Sequence, residues 1–424
     1  RRALTIHSLG VLPLAAALLV AAPWITAAIR APHLTTALRI VAGVLLVYGL
    51  YAPLVGAING RKRFGLQALL DALAATLRTA GLVGGAYLLL GRDQGVEGAF
   101  YGFLASVTVM MVVAAFVAGL GRRGAGGSSR RHLLFIAPLF GGQFALNLLF
   151  QSDIQLLGRF AADAAAAAGM AVDQADTFAR PYRNAQLSCF LPYHLLLSVT
   201  FVLVPLLASA KRDGDREAVA TYTQSGVRLS VILTGAMVSV TAGLPKPLLT
   251  LVFSRESAEL AGTAMGILAV GMGAFAIFGI FASVLTSLGR ERISAVLTVV
   301  ALALVAALCF ALVRGQPFGE VMLVRTAIAT SAGLWLATLW AGWEVRKTAG
   351  AVVPVATLLR CGVALAGAAF LGRMLPAGPK PLTIVYALVV GLAYVIVLTL
   401  SREVGAADLA RIGRLVGKGR KKSS

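Results

Sequence analysis

The chain is 424 residues long, 58% hydrophobic and 13% charged, with a mean hydropathy of +0.86 and a formal net charge of +21. That balance excludes an ordinary soluble domain and points to a polytopic membrane protein. In such a protein the excess of Lys and Arg belongs to the loops that set orientation. The basic runs carry no interleaved aromatics, so they do not point to nucleic acid.

Windows of about 20 apolar residues predict twelve spans, near 4–29, 37–58, 66–90, 96–120, 132–158, 177–209, 217–243, 258–288, 293–313, 319–342, 351–374 and 381–400. The connections are short, so the expected fold is all-α, one membrane domain without a soluble module. Basic residues concentrate in alternate loops: Arg61-Lys62-Arg63, Arg122 and Arg123, Lys211 and Arg212, Arg290 and Arg292, Arg346 and Lys347, and the tail RLVGKGRKKSS. By the positive-inside rule, both termini are expected on the cytoplasmic side of the cell inner membrane.

The order of punctuation repeats. AAPWITAAI, a span ending APLVGAINGRKRF and a turn at GVEGAF are echoed by LPKPLLTLVF, a span ending FASVLTSLGRERI and a turn at PFGEVM. The copies lie an even number of spans apart, which implies equal orientation and two lobes related by an axis along the membrane normal. Either the twelve spans are two complete halves, or two helices precede Arg1. The match of Arg1 and Arg2 to the KRDGDR loop at 211–216 favours the second. The expected division is then an N-terminal lobe at 1–120, a C-terminal lobe at 131–342, two trailing helices at 351–400 and a basic cytoplasmic tail at 401–424.

Polar chemistry concentrates between 138 and 209. Gln143, Asn147, Gln151 and Gln155 are spaced by four and form one slowly drifting helical stripe. At 100° per residue, Arg180, Asn184, His194 and Ser198 share a face that Arg183 flanks. Uncharged amides in hydrocarbon need partners, and interhelical hydrogen bonding alone is one reading of the stripe. The other is a wet cavity in which amides meet hydroxyl-rich cargo while Arg180 and Arg183 hold phosphate oxygens. Pro181, Pro192 and Pro205 weaken the second helix and allow it to bend.

Elsewhere, Gln67, Asp71 and Arg78 share a face of the third span, and Arg228 lies near a predicted midplane. Arg78 and Arg228 are further candidates for an anionic group, whereas Arg360 is expected to snorkel to the headgroups. Asp71, Asp153 and His194 are the candidates for coupling to protons or sodium. A solvated carboxylate is the plainer expectation for Asp153, and a packing role for His194. Cys189, Cys309, Cys361 and the four His residues are scattered, so neither a disulfide framework nor a metal site is expected. No Walker motif, nucleophile elbow or cofactor motif is present, so no enzyme and no cofactor are expected.

Three passages carry a family resemblance: LVGAINGRKRFGLQALLDALAATLRTAGLVGGAYLL, FQSDIQLLGRF and YRNAQLSCFLPYHLLLSVTFVLVPLLASAKRDGD. They resemble the polysaccharide and oligosaccharide exporters of the multidrug/oligosaccharidyl-lipid/polysaccharide flippase (MOP) superfamily. The resemblance implies fourteen helices in two six-helix lobes plus two trailing helices. It implies export of an undecaprenyl-pyrophosphate-linked glycan by alternating access, for surface polysaccharide synthesis, with a polymerase as a potential partner. A lipid II flippase, a cation-coupled drug exporter and a non-transporting scaffold for envelope assembly are the alternatives. The Ala-rich insert at 159–176 is longer than that family's turn and is expected to form a short outer helix.

Overall fold

A computed structural model of the protein describes residues 2–28, 34–61, 64–91, 94–119, 129–169, 172–376 and 378–405. The regular elements among them are helices, as expected where a backbone in lipid must satisfy its own hydrogen bonds. In chain order these are α1 (Arg2–Ala28), α2 (Thr35–Gly60), α3 (Phe64–Leu90), α4 (Gly95–Ala118), α5 (Ser129–Ala167), α6 (Val172–Cys189) and α7 (Leu191–Arg212). They continue with α8 (Arg216–Gly243), α9 (Pro245–Val252), α10 (Arg255–Ser287), α11 (Glu291–Leu312), α12 (Glu320–Ala349), α13 (Val355–Met374) and α14 (Lys380–Leu400). Eleven stretches of the described residues are long and apolar enough to cross a membrane. The span expected at 132–158 lies within α5, which is not one of the eleven.

Two expectations about this region change. The insert at 159–176 does not make a separate short helix. Instead α5 continues through it to Ala167, because a run of alanines is the best helix former available. It stops at Gly169, whose φ of +67° is a left-handed conformation suited to glycine. The expected single helix at 177–209 is broken at Phe190 into α6 and α7. Pro192, at the start of α7, lacks the amide that would have continued the ladder across the break, while Pro181 and Pro205 stay inside their helices.

The chain divides into two compact units, Arg1–Leu133 and Leu134–Ser424. In the first, α3 and α4 approach at glycines on both sides. A Cβ on Gly102 would stand 2.7 Å from the carbonyl carbon of Gly81, and one on Gly85 would stand 2.9 Å from that of Gly98. Small residues spaced by four allow this backbone approach, and dispersion across it stands in for a hydrophobic drive that lipid does not provide.

In the second unit α10 is the central element, packed against α6, α7, α8, α9, α11 and α12. Phe275 and Phe278 on α10 are among its largest fully buried side chains. Just beyond α14, Glu403 is 3% exposed and accepts from Arg228 Nε at 2.8 Å, Arg360 Nη1 at 3.0 Å and Thr357 Oγ1 at 2.8 Å. Arg228 also donates to the Glu403 carbonyl. This corrects two expectations: Arg228 is engaged at the end of α14 rather than offered to a substrate, and Arg360 pairs with a carboxylate rather than snorkelling. The basic tail from 406 onward lies outside the described residues.

Candidate functional site

The break at Phe190 borders a cavity of about 810 Å³ in the second unit. Its wall takes Asn147 and Gln151 from α5, Arg183 and Gln186 from α6, and His194 from α7. Most of the remaining lining is aliphatic, from α8, α9 and the start of α7. Arg183 donates to Gln151 Oε1 at 3.2 Å, so the amide stripe and the arginine meet across α5 and α6. Among the described residues, Arg183 is the one permanently charged side chain on this wall and no carboxylate lines it. Arg183 is exposed, and its planar array of donors suits a multidentate anion such as a phosphate.

The expected roles do not all coincide. Arg180 is exposed one turn before the wall begins and does not line the cavity, which extends along the later half of α6. Asn184 is half-buried and directed to the Ser257 hydroxyl at 3.4 Å. Gln143 lines a second cavity of about 500 Å³, one turn away along α5. Gln155 is exposed and lines neither. His194 is exposed on the first wall with Phe190 and Tyr193 as ring neighbours, rather than packed away.

Asp153 departs most from its plainer expectation. It is 1% exposed, not solvated. Its carboxylate accepts from Tyr182 Oη at 3.0 Å, Thr330 Oγ1 at 3.2 Å, Gln186 Nε2 at 3.1 Å and the Ile154 amide at 2.9 Å. No basic group lies within ion-pair distance of it among the described residues. Tyr182, Gln186 and Thr330 were not foreseen as partners. Tyr182 and Gln186 sit four apart and were open to detection as a polar pair, whereas Thr330 lies 177 residues from Asp153 and has no local signature.

In the first unit, Asp71 and Arg78 line one small cavity of about 110 Å³ with Tyr48 and Tyr51 but make no ion pair. Gln67 satisfies Asp71 at 2.9 Å, and Arg78 donates to Tyr48 Oη at 3.1 Å. The four-residue spacing favours Gln67 over a partner seven residues away. Among the described residues no cluster of His, Cys, Asp and Glu is suited to a metal ion.

Helices long and apolar enough to cross a membrane, with an interrupted helix beside a mostly apolar cavity in the second unit, define the class as a polytopic membrane protein. The family model described as lipid II flippase MurJ matches residues 1–378, and the chain belongs to that family. The expected superfamily therefore holds. Within it the family is that of the lipid II flippase rather than of the polysaccharide exporters. No curated protein matches the chain significantly.

Among solved structures, the chain is similar to "Lipid II flippase MurJ, inward closed conformation", with a TM-score of 0.72 and 14% identity, over 95% of this chain and 84% of that one. It is also similar to a MOP superfamily transporter from Pyrococcus furiosus, with a TM-score of 0.64 and 16% identity, over 81% of this chain and 77% of that one. An outward-facing MATE family multidrug resistance transporter matches with a TM-score of 0.62 and 15% identity, over 80% of this chain and 78% of that one. At these identities the likeness is one of fold.

Proposed function

We propose that this protein carries lipid II, a polyprenyl-pyrophosphate bearing a glycopeptide, across the cytoplasmic membrane by alternating access, with both termini in the cytoplasm. The family match over residues 1–378 is the observation that carries the reading. The cavity chemistry supports it: Arg183 suits a pyrophosphate, Asn147 and Gln151 suit sugar hydroxyls, and the aliphatic wall suits a prenyl chain. Arg180 is assigned a lesser part, guiding the anion toward Arg183.

Coupling to protons or sodium is assigned to Asp153 in preference to Asp71 or His194. A buried carboxylate with hydroxyl and amide partners and no cation is poised to take up positive charge. The broader reading, export of lipid-linked oligosaccharides to a surface polysaccharide polymerase, is tested against this one by substrate choice. Purified protein in proteoliposomes is given fluorescent lipid II or a peptide-free undecaprenyl-pyrophosphate oligosaccharide. Faster flipping of lipid II is expected, and equal or faster flipping of the oligosaccharide overturns the assignment.

A further inference from the structure

The second cavity has a polarity that the first does not. It lies between α5, α7, α10 and α11, and hydroxyls from the end of α10 and the start of α11 line it. Each of these hydroxyls has already committed its proton to a backbone carbonyl. Ser283 donates to Gly279 at 2.8 Å, Thr286 to Ala282 at 2.8 Å and Ser287 to Ser283 at 2.7 Å. Ser294 donates to Ala282 at 3.3 Å and Thr298 to Ser294 at 3.0 Å. A hydroxyl has one proton and two lone pairs, so what remains to face the cavity is acceptor.

Glu291, the first residue of α11, adds a carboxylate to the same wall. No basic group is within ion-pair distance of it among the described residues. Lys211, the nearby candidate, donates instead to the Leu288 carbonyl at 2.6 Å. The Tyr193 hydroxyl and the Gln143 amide are the side-chain donors on the wall. Tyr193, half-buried, supplies a ring, backed by the buried Phe275 at a centroid distance of 5.0 Å. Acceptors, one carboxylate and the Tyr193 ring together select a group that is rich in donors, positively charged and tolerant of an aromatic neighbour.

We propose that this cavity is a binding subsite for a primary ammonium group. The proposal deepens the lipid II reading and rests on it for the source of the amine: a free amino group on the peptide of the lipid-linked substrate. Gln143 on this wall and Gln151 on the first are eight residues apart, about 12 Å along α5. In the proposed arrangement one extended substrate reaches both cavities, its pyrophosphate beside Arg183 and its ammonium beside Glu291. A free organic cation has the same headgroup chemistry and is the other source to be distinguished.

The test separates the site from its source. Hexylammonium is added to the purified full-length protein and thermal stability is followed for wild type and Glu291→Gln. Stabilisation of wild type that is lost in the variant is expected, while stabilisation that is equal or absent in both overturns the proposal. A Ser294→Ala, Thr298→Val double variant, which removes acceptors without touching charge, is expected to weaken the effect.

Flipping then assigns the source, using lipid II with a free lysine amine or its acetylated form. Acetylation is expected to slow wild type about tenfold, the order of one desolvated charge contact, and to leave Glu291→Gln unaffected. Indifference to acetylation in wild type, with hexylammonium itself transported, assigns the site to free cations and overturns the peptide-amine source. If no lipid II flips but Glu291-dependent stabilisation remains, the lipid II reading fails and the ammonium site stands.

Discussion

Tyr182 on α6 donates its hydroxyl to Asp153 on α5 at 3.0 Å, inside the second unit where neither side chain meets solvent or lipid. The same tyrosine reaches the Thr330 hydroxyl on α12 at 3.4 Å, so one carboxylate ties three helices together. Replacing Tyr182 with Phe leaves the carboxylate short of a donor. The expected cost is roughly 1–3 kcal/mol, read as a lower unfolding temperature in detergent. Asp153→Asn keeps the shape but not the charge, and is expected to abolish any response of flipping to an imposed proton or sodium gradient. A gradient response retained in that variant removes Asp153 from coupling.

Arg183 and Arg180 are separated by one turn and both are exposed, but of the two only Arg183 lines the cavity. Arg183→Ala is expected to slow lipid II flipping by about tenfold to a hundredfold, the worth of one or two charge-assisted hydrogen bonds. Arg180→Ala is expected to change it by less than about threefold, as for an exposed charge acting at a distance. Arg183→Lys, which keeps the charge but not the planar fork, falls between. Equal rates in all three variants and wild type would sink the pyrophosphate role.

Glu403 carries a pH signature. Burial by itself raises its pKa, but hydrogen bonds from Arg228, Thr357 and Arg360, with the Arg228 charge, outweigh burial and hold it below its ordinary value. A carboxyl depressed in the folded state contributes stability that is complete above its unfolded pKa, about 4.3 for Glu. That contribution is lost as pH falls through the lower folded value. Thermal stability of wild type is therefore expected to be insensitive to this group from neutral pH down to about 5 and to fall below it. Glu403→Gln is expected to be less stable at neutral pH and to lose that part of the acid dependence. Parallel acid profiles for the two proteins would show that Glu403 does not titrate in that range.

The glycine contact in the first unit gives a paired test. A valine at Gly102 meets the backbone of α3, which cannot yield as a flexible side chain does. Gly102→Val is expected to cost at least roughly 1–3 kcal/mol, seen as reduced folded yield in membranes. Gly84→Ala is the control, since a Cβ there meets nothing within 4 Å. Its yield is expected to match wild type.

The sequence alone was enough for the all-α membrane class, because hydropathy over about 20 residues is a local property that lipid enforces strictly. The stripe from Gln143 to Gln151 and the flanking Arg183 were legible for the same reason: helical periodicity places side chains on faces without reference to the rest of the chain. What periodicity does not report is which face meets which partner. Arg180 and Arg183 read as equals until the cavity bordered by the break at Phe190 took in only Arg183 of the two. Arg228 and Glu403, 175 residues apart, are joined only when α8 and the end of α14 pack together. Asp153 read as a solvated end residue until α5 continued past it and Tyr182, Gln186 and Thr330 closed around it. Likewise the acceptor-rich wall beside Glu291 depends on hydroxyl protons turned back to backbone carbonyls and on Tyr193 brought from elsewhere in the unit. These are contacts of long sequence separation, and only tertiary packing decides them.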